Sequence, residues 1–265
     1  MKKSLIFGCC AVLFFNSCSI KSDNGFSLNF QAKEGNGIIK NKEFEGNFDE
    51  IKVSQSINAE IVKANTEKVV LSAPSDIIDD VLVENKNGIL YIHFKPGLNI
   101  SARNVAVKIF AKDFTRVEAN SSASIAIKDQ FTQDRTEVKA ASSASISGNI
   151  EANQLSIDVS SSGTFTGKIW AVDLDAEVSS SGDIIISGET KNAKLHASSS
   201  GTLDAREATA ANADIEASSS GSVSLAVKNQ LSARASSSGD ITIRKAGNLN
   251  IISKTESSGG SVNIQ

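Results

Sequence analysis

The chain has 265 residues, 27 Lys and Arg against 30 Asp and Glu, a formal net charge of −3 and 40% hydrophobic residues. That length permits one or two domains with a sizeable core. Mild acidity, 2 Pro, 1 Trp, 1 Tyr and 2 His argue against a basic nucleic-acid binder, a collagen-like or proline-rich chain and a zinc finger.

At the N-terminus, Lys2 and Lys3 precede an apolar run from Leu5 to Phe15. The run is too short to span a bilayer but suits a secretory signal. It ends in Phe15-Asn16-Ser17-Cys18, which resembles a bacterial lipobox, although Phe15 replaces the usual Leu and Asn16 the usual small residue. All three cysteines (Cys9, Cys10, Cys18) lie within this stretch, so cleavage before Cys18 would leave one thiol to acylate and no disulfide framework. The reading is a signal peptide over 1–17, lipidation of Cys18 and a tether over 18–40. It places the protein in the cell envelope, as an outer-membrane lipoprotein held to the membrane through the lipid on Cys18. Stable anchoring needs more than one acyl chain, which lipoprotein maturation supplies by that resemblance.

Residues 41–119 are β-rich and irregular. Apolar runs occur at Ile51 to Val53, Ile61-Val62, Val69 to Leu71, Val81 to Val83, Ile89 to Phe94 and Val105 to Phe110. Asn87-Gly88 between two of them is a hairpin signal, and Pro74-Ser75-Asp76 before Ile77 could start one short helical turn. A stacked β architecture needs its end covered, so this section reads as a cap. A separate small β domain is the alternative.

From residue 120 the chain repeats itself. A serine pair or triplet followed by Gly or Ala recurs, with the small final residues at 123, 144, 163, 182, 201, 221, 239 and 259. The intervals are 21, 19, 19, 19, 20, 18 and 20 residues. Around each copy apolar residues alternate with polar ones, as in Leu174, Ala176, Val178 and then Ile184, Ile186. That is the strand period of two, which no helix produces. The fold class is therefore all-β: a single-stranded β-helix, or β-solenoid, of about eight coils of 18–21 residues over 120–265, behind an irregular N-terminal cap. Each coil buries one apolar stripe only by stacking, and eight rungs about 4.8 Å apart make a rod of roughly 34 Å. Continuing the inward phase through the corner predicts an internal ladder of middle serines such as Ser180. Antiparallel hairpins compete with this reading, but Asn-Gly and Asp-Gly turn pairs are missing between the copies. A flexible serine linker would not keep this spacing.

The leader, Phe48-Asp49-Glu50-Ile51-Lys52-Val53, the segment Val81 to Ile92 and the tandem Ser-Ser-Gly coils together resemble the putative auto-transporter adhesin, head GIN domain family, over about residues 40–260. The resemblance implies a right-handed, envelope-exposed β-helix with adhesion as its role. It brings no catalytic or binding residues.

Chemistry is sparse. Serine catalysis needs a base within hydrogen-bond reach, and only His93 and His196 are available. His196 falls in the outward phase. Asp183 and Asp240 follow repeat glycines and read as corner residues, since no calcium nonapeptide is present. Gly35-Asn36-Gly37 is a lone Gly-x-Gly without a nucleotide context. The outward acids Asp173, Asp175 and Glu177 could serve a glycosidase or lyase, but aromatic platforms are scarce, and Trp170 reads as loop packing between copies. The expectation is a non-catalytic protein with no cofactor and no metal site. It would bind a glycan or other repetitive polymer along a repeating polar face, and no nucleic acid. A carbohydrate-active enzyme or a structural or signalling periplasmic lipoprotein is the alternative.

Overall fold

The computed structural model describes residues 32–265. The expected signal peptide, Cys18 and residues 19–31 of the expected tether lie outside the described residues. Residues 32–40, read from sequence as the end of that tether, are held against the cap. Lys33 pairs with Ile100, and Asp76 accepts hydrogen bonds from the backbone N–H of Asn36 (3.1 Å) and of Gly37 (2.8 Å).

The cap begins with β1 (Ile39–Glu45), β2 (Glu50–Val53), β3 (Asn58–Lys63) and β4 (Lys68–Pro74). A 3₁₀ turn at Ile78–Asp80, just past the Pro74 signal, leads into β5 (Val81–Lys86) and β6 (Ile89–Phe94). These two strands pair antiparallel across Asn87-Gly88, as the turn signal predicts. β7 (Ala106–Ala111) and β8 (Arg116–Ala119) complete the cap. The regular part follows: β9 (Ser124–Ala140), β10 (Ser145–Val159), β11 (Thr164–Val178), β12 (Asp183–Ala197), β13 (Thr202–Ala217) and β14 (Ser222–Ala235). The last coils are built from β15 (Asp240–Lys245), β16 (Asn250–Glu256) and β17 (Ser261–Ile264). Each of β9 to β14 pairs in parallel with the next, about twenty residues on. This is a β-solenoid, as the repeat requires, and not a hairpin array.

Inside each long strand the alternation slips twice. In β11 the buried residues are Phe165, Ile169, Ala171, Leu174, Ala176 and Val178, so the step of two lengthens to four and then to three. Every slip turns the chain, and with the serine corner these turns give each coil three walls. Stacking aligns like with like. One ladder runs Val107, Ala59, Ile125, Ile146, Phe165, Ile184, Leu203, Val223, Ile241, Val262, each no more than 3% exposed. One apolar cluster extends from Phe48 to Val262, so the cap shares the core of the coils.

That ladder also shows a departure from sequence order. β2 and β3 form a coil of their own, which lies between β8–β9 on one side and β6 and β7 on the other. Its corner is Gln55-Ser56, with φ of 61° and 60°. The cap therefore contains a ninth corner that lacks the Ser-Ser-Gly spelling.

The corners correct the expected internal serine ladder. At seven of the eight repeat corners two serines, such as Ser180 (φ 51°) and Ser181 (φ 59°), are both left-handed. With the following N–H bonded back across the turn (Gly182 to Ser179, 3.0 Å), they have the φ signs and closure of a type I′ turn. Two consecutive left-handed residues throw the chain outward, so Ser180, Ser199 and Ser237 are exposed. The phase resumes at the buried Gly182. L-residues in this region cost roughly 1–2 kcal/mol each. A hydrogen bond from each corner's second residue to the first on the next coil helps offset it, at 2.9–3.2 Å from Ser56→Ser121 to Ser238→Ser258. The residue after the pair faces the preceding coil's backbone. A Cβ on Gly221 would lie 2.4 Å from the Ala197 carbonyl oxygen. At the last corner the left-handed pair is Ser258-Gly259, so Gly260, not Gly259, fills this place.

The C-terminal end carries its own closure. A bulge at Ile252 brings Lys254 and Glu256 into register with inward Ala233 and Ala235. Where every earlier coil has an apolar pair, the last has an ion pair at 3.2 Å. Inward-pointing charge at an open edge discourages further stacking.

Candidate functional site

The second slip in each coil, between Ala171 and Leu174 in β11, creates a concave edge. Because coils stack in register, the concavity becomes a groove along the coil axis, with a volume of about 660 Å³. One rim is the column Arg135, Gln154, Asp173, Asn192, Asn212, Gln230. The opposite rim carries Ser156, Asp175, Lys194, Asp214 and Ser232. Between the rims the lining is completed by Thr136, Leu155, Leu174, Ala193, Ala213 and Leu231, all of them buried. Six rungs span five steps, so the groove is about 24 Å long at ~4.8 Å per step.

The rim side chains are fixed by one another. Asn192 Nδ2 donates to Asp173 Oδ1 at 2.8 Å, and Asn212 Nδ2 donates to Asn192 Oδ1 at 3.0 Å. Lys194 lies 3.6 Å from Asp175. Each amide spends one group on its neighbour and keeps others for a ligand. On the adjoining wall, Lys52–Glu118 (2.7 Å), Arg116–Glu137 (3.8 Å) and Lys139–Asp158 (3.6 Å) cross-link the first coils. Lys52 and Arg116 hold the Glu118 carboxyl below its ordinary value although burial opposes them. Further along, Asp173, Asp175, Glu177, Asp214 and Glu216 outnumber Lys194, His196 and Arg234, so this stretch is acidic.

The remaining sequence candidates are placed as follows. His196 faces outward, 3.9 Å from Glu216. His93 stacks on Tyr91 with ring centroids 4.1 Å apart and has its Nδ1 2.8 Å from the Phe94 carbonyl oxygen. Asp183 and Asp240 open β12 and β15 on an exposed column beside the corner, where Ser261 donates to Asp240. Gly35 packs where a Cβ would lie 2.6 Å from Pro74 and Ile77, a structural use of the Gly-x-Gly. Asp173 and Asp175 stand on opposite rims of the groove, and Glu177 follows Asp175 on its wall. Among the described residues no group of three His, Cys, Asp or Glu is placed to hold a metal. Carboxyls with perturbed titration are pushed down, as Arg206 does to Asp204 by hydrogen bonding, whereas a general acid needs its own pushed up. Trp170 corrects its sequence reading: it lies within β11, faces outward and is 49% exposed.

Sequence reasoning found the outward acids but not the groove. The signal was present in the recurring Gln, Asp and Asn at 154, 173, 192 and 212, which share a rim only once the coil length is known.

Two stretches, residues 47–168 and 147–247, match the family described as "Putative auto-transporter adhesin, head GIN domain". Together they cover most of the chain. The chain belongs to this family. Among curated proteins, none is similar enough to count as a relative. Solved structures share the head GIN fold. A "putative lipid binding protein" from Parabacteroides distasonis superposes with a TM-score of 0.81 at 22% identity, covering 89% of this chain and 100% of that one. A "putative adhesin" from Parabacteroides merdae gives 0.77 at 19% identity, covering 88% and 99%. Another from Bacteroides fragilis gives 0.62 at 13%, covering 88% and 98%. At these identities the likeness is one of fold. Family membership accords with an adhesin-like protein of the cell envelope or surface.

Proposed function

We propose that this head GIN protein is an envelope-anchored adhesive module that holds an extended glycan in the axial groove. The observation that carries this reading is the hydrogen-bonded rim Asp173–Asn192–Asn212 beside a lining that is apolar over five of the six coils. Planar amides and carboxylates at each ~4.8 Å step suit hydroxyl groups repeated along a chain, and contacts linked along one ligand add avidity. The acidic surroundings favour a neutral or cationic polysaccharide over a sulfated or uronic one. Attachment is through lipid on Cys18, in the outer membrane, supported by the position of that cysteine at the end of the apolar leader.

The apolar lining favours a second reading, an acyl chain in the groove, in keeping with the name of the Parabacteroides distasonis structure. An acyl chain would cover the rim amides without giving them partners, at roughly 1–3 kcal/mol for each polar group left unpaired.

Immobilised neutral, cationic and sulfated polysaccharides, and vesicles of neutral phospholipid, test the assignment. Retention on neutral or cationic polysaccharide, sharply weakened by Asn192→Ala/Asn212→Ala on the rim, is the expected result. Retention on vesicles alone would establish the acyl-chain reading, and unchanged retention by that variant would remove the groove. For the anchor, labelling with a fatty acid should mark the wild type and not Cys18→Ala. Equal labelling would overturn the lipoprotein claim.

A further inference from the structure

Trp170 stands on a different wall from the groove and outside its lining. In register with it, Glu151 lies one coil before and Glu189 one coil after, so the indole is flanked by carboxylates at about 4.8 Å steps along the axis. Beside the ring lies a depression of about 140 Å³, which Asn149, Glu151 and Lys168 also line. Glycines shape this edge. Gly167 and Gly188 would each bring a Cβ to 2.0 Å from a carbonyl oxygen of the preceding coil, so no side chain fills these places.

Three other aromatic rings already carry a lysine of this chain. Tyr91 carries Lys52 at 5.4 Å from its centroid, Phe131 carries Lys63 at 5.7 Å, and Phe110 carries Lys68 at 5.3 Å. Among the described residues, no lysine or arginine lies over Trp170, although indole is the strongest cation-binding ring. Its neighbours in register are anions. Glu151 is steadied by Thr132, whose Oγ1 donates to it at 2.9 Å, and Glu189 has Lys228 at 3.8 Å.

We propose that Trp170, with Glu151 and Glu189, forms a subsite for an ammonium group on an external ligand. The ring face supplies the cation–π contact and the two carboxylates supply charge on either side. Lys168 and Lys228 are the local cations that oppose it, and neither occupies the ring. The subsite stands independently of the axial groove, because it uses other residues on another wall.

Trp170 is the single tryptophan of the chain, so intrinsic fluorescence reports on this place alone. The full protein is titrated with choline, and in parallel with its uncharged carbon isostere 3,3-dimethyl-1-butanol, at constant ionic strength. The expected result is a saturable change with choline only, with its midpoint raised at least fivefold in the Glu151→Gln/Glu189→Gln variant. Both carboxylates sit on the solvent side, and the far-ultraviolet circular dichroism of the variant should match the wild type. Equal responses to the two compounds, a non-saturating response to choline, or an unchanged midpoint in the folded double variant would overturn the proposal. Loss of glycan retention in Asn192→Ala/Asn212→Ala leaves this titration unaffected, so the two readings fail separately.

Discussion

Replacing Ile184 with Asp is the sharpest perturbation of the stacked core. Ile184 is fully buried between Phe165 and Leu203 of the neighbouring coils. Losing its burial costs about 1.5–3 kcal/mol. A carboxylate with no partner in that place adds about 3–5 kcal/mol. The sum, roughly 5–8 kcal/mol, is comparable with the whole stability of a typical domain, ~5–15 kcal/mol. Because each coil touches only its neighbours, the lesion breaks contacts on both sides at once. In urea the unfolding midpoint should fall by about 2–3 M, using a slope of ~2–3 kcal/mol per M. The control is one residue away: Ile185 faces outward and is 45% exposed, so Ile185→Asp should change stability by no more than ~0.5 kcal/mol. The deficit of Ile184→Asp should narrow as the pH falls toward the ordinary carboxylate range, since protonation removes the buried charge. Equal midpoints for the two variants would refute the inward and outward assignment.

Three further outcomes follow from the corners and the C-terminal closure. Ser180→Val should be at least ~1 kcal/mol less stable than Ser180→Gly in chemical denaturation, because a β-branched residue resists the left-handed φ of 51°. Gly221→Val should cost about 3 kcal/mol in the same assay, since its Cβ would meet the Ala197 backbone at 2.4 Å. Glu256 accepts a hydrogen bond from the Val262 N–H at 2.7 Å, which together with Lys254 holds its carboxyl below the ordinary 4.5. A depressed carboxylate stabilises the fold above its unfolded value and loses that contribution as the pH falls through the folded one. The protection factor of the Val262 amide, its exchange rate corrected for the intrinsic pH dependence, should therefore fall below about pH 4.5 in the wild type, with a weaker pH dependence in Glu256→Gln.

Much of this architecture could be read from residue spacing. The regular intervals and the constant phase of residues such as Leu174, Ala176 and Val178 specify coil length, parallel stacking and the buried face. The direction of Ser180 could not be read that way, because a period-two count assumes extended backbone and Ser-Ser is not a usual left-handed pair. The coil of β2 and β3 was hidden for a related reason: Gln55-Ser56 makes the same corner in other letters. Its place between β8–β9 and β6–β7 depends on long-range pairing that no local pattern records. Likewise the groove exists only between coils. Asn192 and Asn212 become neighbours through register, and the buried Ala193 and Ala213 lie between the rims only because the coils stack.

Chain-length dependence of binding tests the axial groove most directly. Oligosaccharides of increasing length, drawn from a polysaccharide the protein retains, are measured by calorimetry against the wild type and Asn192→Ala/Asn212→Ala. Affinity should climb with each added unit until the ligand spans about 24 Å, five steps of ~4.8 Å, and then level off, with the climb flattened in the variant. A single sugar binding as tightly as the longest oligomer, or the same rising series in Asn192→Ala/Asn212→Ala, would contradict a ligand lying along the coils.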